Sequence, residues 1–235
     1  MKINDTVALV TGANRGLGAA IARALVERGA RTVYAGARDP ATVTDPDVVP
    51  IRLDVTDPAT VRAAAERFGD TTLLVNNAGV ARRGSPLKAS DLAAARLEME
   101  TNYFGTLAVS RAFAPVLARN GGGALVNILS VLSHVTVPGL TTYAASKSAA
   151  WSLTNALRVE LLGQGTLVVG LHVGYMDTDM AADVTEPKIS TANVATQALD
   201  AVEAGRHEVF ADEMSRTTKA ALSGDLDLLY PALRG

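Results

Sequence analysis

Seven short runs of apolar, β-branched residues recur along the chain, and a helix-length stretch rich in alanine and leucine separates nearly every neighbouring pair. The runs fall at 7–11, 31–35, 48–53, 73–75, 124–129, 167–172 and 208–210, and the helical stretches at 16–28, 59–68, 91–118, 143–162 and 191–204. Such alternation predicts parallel strands joined by right-handed helical crossovers. The runs are nearly continuous in apolar character, as strands are when helices cover both faces of their sheet. The expected fold class is therefore α/β, a doubly wound parallel sheet of about seven strands. One crossover breaks the pattern: residues 39–50 hold prolines at 40, 46 and 50 and little helical periodicity, which predicts a loop. Gly121, Gly122 and Gly123 mark a turn before the fifth run, and Pro187 breaks the stretch after the sixth.

With 235 residues, 48% of them hydrophobic, the chain suits a single domain spanning 1–235. A formal net charge of -2 offers no broad basic field for nucleic acid or an anionic membrane, so small-molecule partners are expected. There is no cysteine, which excludes disulfides and thiol chemistry; the three histidines, at 134, 172 and 207, lack the spacing of a shared metal site, and no metal is expected. Residues 1–5 carry no signal-peptide pattern and no apolar run reaches membrane-spanning length, which predicts a cytoplasmic protein.

The first run leads into Thr11-Gly12-Ala13-Asn14-Arg15-Gly16-Leu17-Gly18 and then an alanine-rich helix. Glycines allow a tight turn and close backbone approach, while a helix start offers free N–H groups to a pyrophosphate. The spacing resembles the Thr-Gly-x-x-x-Gly-x-Gly motif of the short-chain dehydrogenase/reductase family, whose fold is a Rossmann-type sheet. At the second run, Tyr34-Ala35-Gly36-Ala37-Arg38 ends without the acidic residue that would bind a ribose 2′-hydroxyl. Arg38, with Arg15 as a second cation, suits a 2′-phosphate instead, although Asp39 could partly neutralise Arg38. NADP(H) is therefore favoured over NAD(H). Asp54-Val55 and Asn76-Asn77-Ala78-Gly79 follow the third and fourth runs and match the family's adenine-contacting pair and its Asn-Asn-Ala-Gly segment. The resemblance implies a cofactor site built from Gly12, Asn14, Arg15, Gly16, Leu17, Gly18, Ala37, Arg38, Asp54, Val55, Asn77, Ala78 and Gly79, with Tyr143 and Lys147 holding the ribose.

Tyr143 and Lys147 lie four apart on one helical face, where the lysine cation is expected to lower the tyrosine pKa toward the working pH. Ser130, thirteen residues upstream of Tyr143, matches the family's serine and could donate to a substrate oxygen. Asn102, in Thr101-Asn102-Tyr103-Phe104-Gly105, matches a fourth family residue, which interrupts its helix and holds a water of the proton relay. No Gly-x-Ser-x-Gly elbow surrounds Ser130, which argues against a hydrolase. His134 is expected in a pocket wall or at the surface, and His172 in the core. Val173-Gly174-Tyr175-Met176-Asp177-Thr178 resembles the family's Pro-Gly-x-x-x-Thr segment, with Val173 in place of proline. It implies cofactor contacts from Gly174, Met176 and Thr178 and a looser turn.

The matching motifs span residues 5–212 in order. They imply an oxidoreductase that moves a hydride between NADP(H) and a small-molecule carbonyl or alcohol, in the direction of aldehyde or ketone reduction. The catalytic residues expected are Asn102, Ser130, Tyr143 and Lys147; the substrate would touch Ser130, Leu132 and Tyr143, with a short lid at 178–190. The alternative is a dinucleotide-binding sensor or scaffold without chemistry. The alanine-rich faces of 91–118 and 143–162 would permit a homodimer or homotetramer, as in the family.

Overall fold

The first apolar run forms β1 (Val7–Thr11), buried along its whole length. The computed structural model, which describes residues 1–85, 87–88 and 92–234 with only the backbone of 234, continues with β2 (Thr32–Ala37), β3 (Val49–Arg52), β4 (Leu73–Asn76), β5 (Ala124–Ile128), β6 (Leu167–His172) and β7 (Glu208–Phe210). All pair in parallel, in the order β3-β2-β1-β4-β5-β6-β7. The order reverses at β1, which lies between β2 and β4. The carboxyl ends of β1 and β4 thus open the crevice where sheets of this type take ligands.

Both faces are covered, which explains the continuous apolar runs. Ala8 and Val10 of β1 face the cluster beneath α1 (Gly16–Glu27), while Leu9 between them faces the opposite cluster with Phe113, Leu117 and Leu125. The second face is roofed by α2 (Pro58–Arg67), α4 (Thr106–Arg119) and α5 (Thr141–Glu160), and α1 packs against α6 (Thr191–Ala204). The doubly wound α/β expectation is met.

Several boundaries differ from those expected. β2 runs to Ala37 because its pairing with β3 continues to Ala37 and Arg52, so Arg38 sits just past the strand end. Residues 39–50 hold no α-helix, only a 3₁₀ turn at Pro40–Thr42 started by Asp39. The helix expected over 91–118 is three pieces: α3 (Ala93–Met99), a π-helical segment at Glu100–Gly105, and α4; position 91 lies outside the described residues. The widened turn surrounds Asn102, whose side chain bonds to a neighbouring loop. Two C-terminal helices, α7 (Glu213–Ala221) and α8 (Leu226–Leu229), were not expected. The buried residue of α7 is Ser215 and the helix is polar overall, so α7 does not stand out as an apolar stretch.

Candidate active site

The glycine turn joins β1 to α1 against the end of β4. Gly12 has φ of +63°, and a Cβ there would meet Ala78 Cα at 3.0 Å. At Gly18 the clash is harder: a Cβ would lie 2.2 Å from Gly12 O and 2.5 Å from Asn77 Nδ2. That contact exists because Asn77 Nδ2 donates to Thr11 O at 2.9 Å and Gly12 O at 3.1 Å, while Thr11 Oγ1 accepts from the N–H groups of Asn77 and Ala78. The start of α1 has no side-chain cap and no acidic residue in its first turn. An uncapped helix start behind glycines that leave room for no Cβ fits the pyrophosphate of a dinucleotide. Asn14 is half-buried in the turn, whereas Leu17 points into the core, leaving its backbone to face a ligand.

At the end of β2, Ala37 is buried and Arg38 exposed. No ion pair between Arg38 and Asp39 is formed among the described residues, and Asp39 Oδ1 accepts from Ala41 N–H at 3.0 Å. Arg15 is paired with Asp179 at 3.1 Å, but the two side chains are 72% and 81% exposed, so the pair is weak and open to exchange for another anion. Asp54 Oδ1 accepts from both Thr56 N–H and Thr56 Oγ1, and Val55 is buried against Gly105.

Two of the four candidate catalytic residues, Asn102 and Lys147, meet at Gly79, and the other two, Ser130 and Tyr143, are paired with each other. A Cβ at Gly79 would lie 3.2 Å from Asn102 Oδ1 and 3.6 Å from Lys147 Nζ. Asn102 holds Val80 twice, accepting from its N–H and donating to its C=O, each at 2.9 Å, and donates to Ser146 Oγ at 2.9 Å. Ser146 in turn donates to Tyr143 O at 2.7 Å. The Asn102 side chain is thus fully engaged with protein, and its main-chain carbonyl accepts from Thr106 Oγ1 at 2.9 Å. Ser130 follows β5; its Oγ accepts from Leu132 N–H at 3.1 Å, which leaves the hydroxyl proton to the neighbouring Tyr143 or to a substrate. Leu132 is buried with Val131, Leu140 and Ala144 in an apolar wall that Tyr143 and Ala81 complete.

The expected lowering of the Tyr143 pKa is not what the structure shows. The ring keeps partial exposure, but protein atoms surround the hydroxyl, and that burial pushes it up to about 12; the Ser130 hydrogen bond opposes the rise and the Glu98 charge adds to it. Lys147 donates to Ile128 O at 2.9 Å and stands 5.9 Å from the Tyr143 ring centre, so burial outweighs its field. Burial also brings Lys147 itself down to about 8. Tyr143 is therefore protonated at neutral pH, beside a lysine able to exchange protons near neutrality.

Sequence reasoning missed Glu98, Ser146 and Asp212. Asp212 Oδ2 accepts from Gly174 N–H at 2.5 Å while Oδ1 caps α7 through Ser215 N–H at 2.8 Å. This clamp fixes the turn that Val173, in place of proline, was expected to loosen. Met176 packs at the edge of the core, and Thr178 lies over the glycine turn, with Cγ2 3.4 Å from where a Cβ of Gly16 would be. The signal for Asp212 was its place just after the last strand, where an acidic residue starts a helix.

His172 is fully buried behind Ser130, with Nδ1 3.3 Å from Ser130 O and Nε2 3.4 Å from Glu208 Oε1. His134 stacks on it at 4.5 Å and meets Trp151 edge-on. Burial and the neighbouring His172 bring His134 from 6.5 down to about 4, and contact with His172 brings Glu208 from 4.5 down to about 2. Both folded values lie below the unfolded ones. Stability is then complete above pH 6.5 and is lost as pH falls, through His134 from 6.5 to 4 and through Glu208 from 4.5 to 2. Melting temperature is expected to fall between about pH 7 and pH 5, and His134→Phe, which keeps the stack, should flatten that fall. Equal pH sensitivity in the two proteins would refute the role of His134.

Among the described residues no cluster of three or more His, Asp or Glu could hold a metal ion, and no helix is long and apolar enough to cross a membrane. A family model described as short chain dehydrogenase matches residues 6–189. The 1-deoxy-11-beta-hydroxypentalenate dehydrogenase of Streptomyces avermitilis is 34% identical over 218 residues, covering 87% of this chain and 81% of that protein. The cis-4-hydroxycyclohexanecarboxylate dehydrogenase of Sinomonas cyclohexanicum is 36% identical over 189 residues, 76% of each. A short chain dehydrogenase from Burkholderia cenocepacia, solved in complex with NADP, superposes with a TM-score of 0.95 at 44% identity over 100% of both chains. The chain belongs to the short-chain dehydrogenase/reductase family, a family of oxidoreductases.

Proposed function

We propose that this protein is an NADP(H)-dependent oxidoreductase that reduces an aldehyde or ketone, with Tyr143 giving its proton to the substrate oxygen. The observation that carries this reading is the meeting of Asn102, Lys147 and Gly79 beside the Ser130–Tyr143 pair, at the carboxyl ends of β4 and β5 and next to the glycine turn. When bound, the nicotinamide supplies the hydride that adds to the carbonyl carbon. The C=O π pair moves onto oxygen, which Ser130 steadies by donating its hydroxyl and which takes the Tyr143 proton. Lys147 returns a proton to the phenolate, and Asn102 shapes the path to solvent. Val131, Leu132 and Leu140 form the apolar side of the pocket. Gly12, Gly16, Gly18 and the start of α1 cradle the pyrophosphate, with Asn14 and the backbone of Leu17 beside it. Asp54 and Val55 flank the adenine; Asn77, Ala78 and Gly79 make the floor, and Gly174, Met176 and Thr178 receive the carboxamide.

The cofactor preference rests on charge. Arg38 is exposed just past β2, no acidic side chain ends that strand, and the Burkholderia relative was solved with NADP. The catalytic efficiency with NADPH is expected to exceed that with NADH, and Arg38→Asp to erode or invert the preference by roughly 10- to 100-fold, the worth of one charge-assisted phosphate contact. A wild-type preference for NADH would contradict the assignment. Residues 178–190, tied down through hydrogen bonds between Tyr175, Asp177 and Ile189, act as a short lid over a single domain of 1–235. Exposed Val159 and Leu162, at 76% and 70%, suit packing of the α5 region against another copy in a homodimer or homotetramer.

A further inference from the structure

Behind Ser130 lies a histidine whose two ring edges face different parts of the fold. On β7, Glu208 and Phe210 share one face two residues apart, and β6 sets Gly170 and His172 against them in register. Phe210 and His134 both pack against the fully buried His172 ring, with centres 5.0 and 4.5 Å away. At its edges, Nδ1 lies 3.3 Å from Ser130 O and Nε2 3.4 Å from Glu208 Oε1. A carbonyl oxygen only accepts, so the first contact is a hydrogen bond only when Nδ1 carries a proton. Nε2 has no hydrogen-bond partner among the described residues, and without a proton its lone pair would be turned toward the negative carboxylate. The geometry therefore calls for an N–H at each edge. Glu208 is steered in turn by Arg158 of α5, whose guanidinium stands 3.8 Å from Oε1 and donates to His207 O. Gly170 makes room for it, since a Cβ there would lie 2.9 Å from that guanidinium.

The backbone of Ser130 is held locally as well. Its carbonyl accepts from Ser133 N–H at 2.9 Å, and its own N–H donates to Ser133 Oγ at 3.2 Å. Those bonds lie within one short turn; the His172 contact ties the same carbonyl to the neighbouring strand. We propose that His172 is a positioning residue for Ser130: anchored at Glu208, it donates through Nδ1 to the Ser130 carbonyl and so fixes where the Ser130 hydroxyl meets the substrate oxygen. An apolar ring would fill this core position without burying two polar nitrogens, so the imidazole calls for a role. A misplacement of about 1 Å in a reacting group can cost roughly 10²-fold in rate, which gives a tie on the serine's own peptide its leverage. This rests on the reading of Ser130 as a donor to the substrate oxygen.

His172→Phe keeps an aromatic ring in the cluster and removes the donor. The kcat for carbonyl reduction is expected to fall by roughly 10- to 100-fold while KM for NADPH stays unchanged. In a Ser130→Ala background the same substitution should lower kcat by less than about twofold further, because the hydroxyl that it positions is already gone. An equal fall in both backgrounds would mean a general loosening of the core and overturn the proposal, as would a wild-type kcat in His172→Phe. The tie itself is read by NMR in the wild-type protein, whether or not the variant folds. The nitrogen shifts of the His172 ring are expected to show a proton on Nδ1, and the carbonyl carbon shift of Ser130 to move in His172→Phe; a bare Nδ1 would overturn the proposal. A wild type that reduces no carbonyl overturns the proposed reaction instead, and the ring shifts still decide whether His172 holds Ser130.

Discussion

Tyr143→Phe is expected to lower carbonyl reduction by roughly 10²- to 10⁴-fold, the usual contribution of a positioned general acid, while the protein folds and binds NADPH as before. The ring packs in the apolar wall with Val131, Leu132, Leu140 and Ala144, and phenylalanine keeps that packing. What disappears is the hydroxyl that Ser130 addresses, and with it the proton that must reach the substrate oxygen as the C=O bond is reduced. Because the hydroxyl is held protonated, its loss is felt across the neutral range and not only at one edge of the pH profile. Steady-state kinetics beside fluorescence titration with NADPH separates the two effects. Turnover close to that of the wild type would remove Tyr143 from the chemistry.

Gly18→Ala should be severe for a different reason. The new methyl carbon would sit 2.2 Å from Gly12 O and 2.5 Å from Asn77 Nδ2, and neither atom can retreat cheaply. Gly12 O belongs to the turn backbone, and Asn77 Nδ2 is bonded to two carbonyls of the same turn. Relieving the overlap must move the helix start or break the Asn77 clamp, a loss of about 1 to 3 kcal/mol or more, with NADPH affinity falling further than stability. Gly163→Ala is the matched control, since a Cβ there meets nothing within 4 Å among the described residues. Calorimetric melts and NADPH titration of the two variants check the contrast; equal behaviour would mean the turn is looser than its contacts indicate.

What could be read in the sequence was what depends on local pattern. Apolar runs separated by helical spacing identified all seven strands; burial on both faces makes β1, β4 and β5 continuously apolar, whereas the edge strand β3 is exposed at Val49, Pro50 and Arg52, and 191–204 matched α6 at both ends because Ser190 caps its start and Gly205 ends it. The glycine turn and the Tyr143–Lys147 spacing were legible for the same reason. Features set by the third dimension were not. Glu98 and Glu100 look alike in sequence, yet one is fully buried beside the site and the other lies toward solvent. The field at Tyr143 was misjudged because spacing reveals that Lys147 is near, not that its ammonium is bonded to Ile128 O or that burial dominates. Asp212 fixes Gly174 across 38 positions, a distance no local pattern reports.

The most direct test of hydride transfer with Tyr143 as donor follows the atoms themselves. Wild-type protein is supplied with NADPH carrying deuterium at both hydrogen positions of the reactive nicotinamide carbon and with a panel of aldehydes and ketones, and the alcohols formed are examined by mass spectrometry. The account predicts deuterium on the carbinol carbon, in step with NADPH consumed, and the same labelled alcohol formed roughly 10²- to 10⁴-fold more slowly by the Tyr143→Phe protein. A wild-type protein that binds NADPH yet consumes it with no carbonyl, or an alcohol formed without the label, would contradict it.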